Sequence, residues 1–473
     1  MTLRLDFTNM MAADGTAPRA VDGAPEAVAA IPEDDWKGVR AHVRTVHDAV
    51  LALHAAGELG FLDLPADTAL HDQTTSFVSG ADGKFRDVVL LGIGGSALGP
   101  LALRGALRQP SWNQLGQAAR DGFPRLHVLD NVDPATITAL LSRLDLEDAL
   151  FVVISKSGST AETMAQYLVV RGALERTVGE DVRRHLVFVT DPEKGALRAI
   201  ARAESISALD IPANVGGRFS VLSPVGLLPA ALIGIDTSAL LAGAADMMAR
   251  CESDDLRDNP AAAFATLQWM ADTRLDRGIH VLMPYADALR DMAAWFVQLW
   301  AESLGKKASD GRSTGPTPIA ALGATDQHSQ VQLFMEGPPN KTVTFVAISN
   351  LAEDAAIPEL HAGYPELGYL GGHNLGELLD IERRATAGAL ARRGRPNMTI
   401  TLDRLDPWHI GSLMMLFEIA TVYAGVLYGV NPLDQPGVEL GKQFTYAMLG
   451  RPGSEGARRE WDLLPGSDPR WVL

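Results

Sequence analysis

Cysteine is almost missing: Cys251 is the only one in 473 residues. No disulfide framework and no cysteine-based metal site can be built from it, and a reducing, cytoplasmic compartment is the expectation. Basic charge is in deficit too. Asp and Glu number 58 against 41 Lys and Arg, a formal charge of −17, which disfavours a nucleic-acid backbone or an anionic membrane as the main partner. A small anion stays possible, because one loop can be positive where the whole is not. The opening MTLRLDFTNMMAADGTAPRA lacks the long apolar core of a secretory signal. The histidines are scattered without the i, i+4 spacing of a helical zinc site, so no metal is expected. Short-period repeats and low-complexity tracts are absent as well.

What is present begins with an ordinary apolar fraction, 47%, in a chain long enough for two or three domains. One run, Trp408 to Val430, reaches membrane-spanning length. His409 and Glu418 interrupt it and NPLDQPG ends it, so a buried core or subunit-interface helix is expected. Short apolar runs at 87–93, 125–130, 149–154, 185–190 and 207–211 read as strands. Stretches of helical length, such as 134–147 and 161–176, lie between them. That alternation predicts a parallel sheet covered on both faces. It restarts after about residue 250, with strand candidates at 278–284, 318–323, 342–349 and 398–403. The fold class is therefore α/β, with two such domains. The expected bounds are a helical N-terminal arm at 1–50, domains at 51–245 and 246–430, and a C-terminal helix and tail at 431–473.

Ligands of parallel α/β sheets bind beyond the carboxyl ends of strands, and two loops there stand out. GIGGSALGP, Gly92 to Pro100, follows the strand VVLL. Its glycines allow close backbone approach, and the next helix presents its positive end. SKSGST, Ser155 to Thr160, offers the hydroxyls of Ser155, Ser157, Ser159 and Thr160, backbone N–H groups and the charge of Lys156. Either these loops merely turn and cap helices, or they hold a phosphate. Gly92, Gly94 and Ala97 also fit a loose dinucleotide pattern, with Asp130 placed for a ribose, so a nicotinamide enzyme is a rival. A P-loop NTPase is not, because neither loop ends in Gly-Lys-Ser/Thr.

Charged groups in apolar settings add candidates. Arg218 is the one charge in 213–232, either salt-bridged or functional. Glu302 follows an aromatic-rich helical stretch with Gln298 one turn earlier, and a carboxylate in such a setting suits a general base. His328 sits in a polar run, and Glu439 and Lys442 follow a Pro-Gly turn; surface or capping roles are the plainer alternatives.

In this order GIGGSALGP, SKSGSTAET, VGGRFSVLSPVGL, GATDQHS and DQPGVELGK resemble the glucose-6-phosphate isomerase (phosphoglucose isomerase) family, in its shorter bacterial-type branch, over about residues 85 to 445. The resemblance implies two SIS-type domains, each a parallel sheet between helices in three αβα layers. It implies cofactor-free interconversion of glucose 6-phosphate and fructose 6-phosphate, in glycolysis and gluconeogenesis, through ring opening and a cis-enediol. Carried onto this chain, Ser155, Ser157 and Thr160 would grip the phosphate, with Lys156 in the same substrate-binding loop, and Gly95 and Ser96 would line the sugar site. Glu302 would move the proton, Arg218 would stabilise the enediolate, and His328 and Lys442 would assist ring opening. Gln298 and Gln435 match further substrate contacts. The family also implies a homodimer, with the histidine reaching the neighbouring subunit's site. Leu433 departs from the family, standing where many members carry an aromatic. A non-catalytic sugar-phosphate sensor is the rival from outside enzymology.

Overall fold

In the computed structural model, residues 3–12 and 30–473 are described. The expected N-terminal arm lies partly outside them; its described part holds helices Glu33–Gly38 and Arg40–Ala55. The chain falls into two compact units, Met1–Pro432 and Leu433–Leu473.

The first unit carries two five-stranded sheets. The first is wholly parallel, in the order Arg125–Leu129, Asp87–Leu91, Ala149–Ile154, Leu186–Thr190, Ser207–Asp210. Strands Asp87–Leu91, Ala149–Ile154 and Leu186–Thr190 are buried at every position, which is why they read as unbroken apolar runs rather than alternating ones. Asp87 is tolerated at the start of one because Arg125 and His127 hydrogen-bond its carboxylate at 2.7, 2.6 and 2.8 Å. From Asp87–Leu91 the chain first adds Arg125–Leu129 on one side, then crosses to Ala149–Ile154 on the other. That reversal opens a crevice beyond the carboxyl ends of Asp87–Leu91 and Ala149–Ile154, the two strands that lead into the glycine and serine loops.

The second sheet runs Arg4–Asp6, Asn397–Arg404, Lys341–Asn350, Ile279–Pro284, Thr317–Ala320. Its four later strands are parallel and match the expected positions. Arg4–Asp6 joins antiparallel as an edge strand that the sequence reading did not include, since three residues show no period. Between the sheets in sequence, helices Thr237–Arg250 and Pro260–Leu275 pack against Pro407–Tyr428. That last helix is long and apolar enough to cross a membrane, yet almost all of it is buried inside the protein. The expected core helix is thus observed. Glycines permit the packing: a Cβ on Gly243 would lie 1.8 Å from the Trp408 carbonyl, and one on Gly411 1.9 Å from that of Leu240.

The second unit contains helices Glu439–Met448 and Glu455–Asp462, joined by an edge contact of Phe444 with Trp461 at 5.4 Å. The expected C-terminal helix is the first of these.

Candidate functional site

Strand Asp87–Leu91 runs into a single tight turn, Gly94–Ser96, and then helix Leu98–Leu107. Two of its glycines are required. Gly94 has φ +58°, and a Cβ there would meet Gln298 Nε2 at 2.9 Å. A Cβ on Gly95 would lie 2.2 Å from the Gly217 carbonyl oxygen. The glycine loop therefore touches both the turn carrying Arg218 and the helix carrying Glu302. Ser96 stands half-buried in the same turn, its N–H bonded to the Ile93 carbonyl.

Arg218 projects from the turn Gly217–Phe219, which Phe219 anchors by stacking on Phe61 at 4.9 Å. Its side chain is only 2% exposed. Nε donates to Ser303 Oγ at 2.6 Å, and Nη2 donates to the Pro432 carbonyl. Nη1 lies 3.6 Å from Glu302 Oε1. Glu302 sits on helix Arg290–Leu304, and its other oxygen accepts from Gln298 Nε2 at 3.0 Å. One helical turn separates the two, so they share a face. Gln298 Oε1 is buried and has no hydrogen-bond partner among the described residues. Fixed cation, half-buried carboxylate and an open acceptor thus converge beside a glycine loop. The two readings of Arg218 merge here, because its nearby carboxylate is the other candidate.

Strand Ala149–Ile154 opens into the serine loop, which ends at Thr160, the N-cap of helix Ala161–Val178. Ser155 Oγ and Thr160 Oγ1 are 2.9 Å apart, and Ser157 Oγ lies 3.4 Å from Thr160 Oγ1. Ser155 is buried, Ser157 exposed and Thr160 half-buried. Hydroxyls at graded depth beside a helix N-terminus can bind an oxyanion. Gly158, at φ +61°, lets the loop fold back so that its N–H reaches the Ser155 carbonyl at 3.1 Å. Lys156 turns to the segment ahead of Arg218, donating to the carbonyls of Ala213 at 2.7 Å and Val215 at 2.8 Å. Burial lowers its pKa, with Asp191 opposing.

His328 closes the turn Thr325–His328 beyond the carboxyl end of strand Thr317–Ala320. Asp326 builds that turn, accepting from Leu322 N at 2.7 Å and Ser329 Oγ at 2.5 Å. The His328 ring is exposed, and among the described residues no hydrogen bond or ion pair joins it to Glu302 or Arg218. Gln435 and Lys442 belong to the second unit, where Lys442 pairs with Glu439 at 2.9 Å. Among the described residues no group of three or more His, Cys, Asp or Glu is arranged for a metal ion.

Two groups escaped the sequence reading. Ser303 and the Pro432 carbonyl hold the Arg218 guanidinium, and neither residue type signals that role. Adjacency of Ser303 to Glu302 was the one available cue.

A family model described as phosphoglucose isomerase matches residues 69–362 and 383–462. A glucose-6-phosphate isomerase of Rubrobacter xylanophilus is 51% identical over 368 residues, covering 78% of this chain and 83% of that protein. One of Carboxydothermus hydrogenoformans is 45% identical over 426 residues, covering 88% and 90%. The solved structure of a hypothetical protein from Thermus thermophilus superposes with a TM-score of 0.82 at 39% identity, over 95% of this chain and 100% of that one.

Proposed function

Because this chain belongs to the phosphoglucose isomerase family, we propose that it interconverts glucose 6-phosphate and fructose 6-phosphate in glycolysis and gluconeogenesis. One observation carries the reading: a buried guanidinium 3.6 Å from a carboxylate whose other oxygen is held by Gln298. Aldose–ketose isomerisation needs a base beside a fixed cation.

In this mechanism Ser155, Ser157 and Thr160 hold the phosphate, with the positive end of helix Ala161–Val178 behind them. Anchoring there positions the reacting carbons at the other end of the substrate. His328 and Lys442 assist ring opening. Glu302 takes the proton from C2 of the aldose, and the electrons shift onto O1. Arg218 stabilises the resulting enediolate. Glu302 then returns the proton to C1 while the hydroxyl proton on O2 passes to O1, leaving a carbonyl at C2. Gly95 and Ser96 line the sugar site. Gln298 offers its open Oε1 to a sugar hydroxyl, and Gln435 is a further contact. The reaction uses no cofactor. A dinucleotide reading of Gly92, Gly94 and Ala97 is weakened because the Arg218 turn lies against Gly95, where a pyrophosphate would need room.

The wider proposal comprises two SIS-type domains, 51–245 and 246–430, preceded by the arm at 1–50 and followed by the C-terminal helix and tail at 431–473. It includes a cytoplasmic homodimer in which His328 serves the neighbouring subunit's site. The first test is proton NMR with fructose 6-phosphate in D₂O and no added cofactor or metal. Glucose 6-phosphate deuterated at C2 is expected. Product without deuterium would replace the solvent-exchanging enediol by a shielded proton or hydride shift. Binding without product would favour a sensor, and neither product nor binding would overturn the functional reading.

A further inference from the structure

Arg277, Lys341 and Arg395 occupy the amino-terminal edge of the second sheet, outside the site described above. Strand register brings them together. Lys341 opens its strand opposite Ile279, two residues after Arg277. Val343 lies opposite Asn397, two residues after Arg395. Three adjacent parallel strands thus each bring a cation to one edge, the edge opposite the Thr325–His328 turn. Arg277 is 8% exposed and Lys341 3%, while Arg395 is half-buried and gives a way in from solvent.

Two of the three have partners that account for their placement. Lys341 Nζ donates to the Pro338 carbonyl and Asn340 Oδ1, both at 2.8 Å. Arg395 donates to the carbonyls of Met335 at 2.8 Å and Gly337 at 2.9 Å, closing the end of helix Val331–Glu336. Arg277 differs: its Nε is buried with no partner, and no side-chain hydrogen bond or ion pair engages it among the described residues. Burial lowers the pKa of each cation, and Arg395 adds repulsion at both Lys341 and Arg277. Asp276 offsets Arg277 and Glu336 offsets Arg395 in part, but neither carboxylate is hydrogen-bonded to the three. A buried guanidinium Nε–H left without an acceptor while like charges crowd is unfavourable. An oxyanion supplies several acceptors and the missing negative charge together.

We propose that Arg277, Lys341 and Arg395 form a second anion site, for a phosphate-class oxyanion, distinct from the serine loop. It does not depend on the isomerase reading. The test follows the melting temperature of the full chain against inorganic phosphate, with ionic strength held constant by chloride. Four proteins are compared: the native chain, Ser157→Ala/Thr160→Ala, Arg277→Gln, and the three substitutions combined. A ligand that binds only the folded state raises the melting temperature with its concentration. The loop variant is expected to keep a saturable rise, and adding Arg277→Gln is expected to abolish it. Loss of the rise in the loop variant, or its survival in the combined variant, overturns the proposal. Should Arg277→Gln not fold, Arg395→Gln in the loop variant is expected to move the phosphate midpoint upward about tenfold, and an unmoved midpoint has the same force against the site. Methyl phosphate separates the sources: tighter binding than inorganic phosphate assigns a phosphate monoester, and weaker or equal binding assigns the free ion.

Discussion

The Lys156 ammonium is held by two main-chain carbonyls, Ala213 and Val215, three to five residues ahead of Arg218. A lysine in a serine loop suggests a charge aimed at the phosphate, but here it ties the loop to the backbone that carries the guanidinium. Lys156→Met is therefore expected to lower kcat/KM by about 10²-fold, the scale of a small misplacement of reacting groups, mainly in kcat. The inhibition constant of inorganic phosphate should stay nearly unchanged. If that constant weakens in step with KM, the lysine touches phosphate and the tether is secondary. Much of this site was legible at single residues. Arg218 and Glu302 each stood out as one charge in an apolar stretch, and the serine loop by its hydroxyls. Ser303, the Pro432 carbonyl and the tether of Lys156 were not legible. They depend on where loops distant in sequence meet, and common residue types give no local sign of it.

Helix Pro407–Tyr428 shows the same limit at the scale of an element. Its apolar length was plain, and so was the Glu418 that argued against a membrane span. Its neighbours were not, since an almost uniformly apolar helix has no polar face to orient it. The three central first-sheet strands were readable because burial on both faces makes them continuous apolar runs, whereas Arg4–Asp6 was too short to show a pattern. Glu418 is fully buried, and both its oxygens lack partners among the described residues. Burial pushes its pKa well above the usual glutamate value. The folded chain therefore keeps a proton that the unfolded chain releases above about pH 4.3. Stability from this group is complete below that pH and declines as pH rises towards the folded pKa, by about 1.4 kcal/mol per pH unit. Glu418→Gln removes the titration. In urea unfolding at fixed protein concentration, the variant is expected to gain on the native chain as pH rises from 6 to 8, because only the native chain carries the raised carboxyl. A pH-independent difference would mean that Glu418 stays ionised or finds a partner on the way.

At the scale of the whole molecule the open matter is whether one chain builds a complete site. Arg218, Glu302 and Gln298 meet within one unit, while the exposed His328 ring makes no hydrogen bond or ion pair with them. A ring-opening acid has to reach the sugar oxygen, so under the proposed dimer His328 serves the partner's site. Complementation separates this arrangement from a site built within one chain. Homodimers of His328→Ala and of Glu302→Gln are each expected to be nearly inactive. In a mixed dimer with one lesion per subunit, a crossing histidine puts both lesions in one site and leaves the other intact. Activity then returns to about half that of the native dimer, the arithmetic of one working site in two. If each site is built within a single chain, every site of the mixed dimer carries one lesion and activity stays at the level of the homodimers. Sedimentation of the mixed species, with a distinguishable tag on each subunit, shows that the measured activity belongs to the dimer. A native chain that sediments as an active monomer would remove the shared site altogether, and His328 would then have to act within its own subunit.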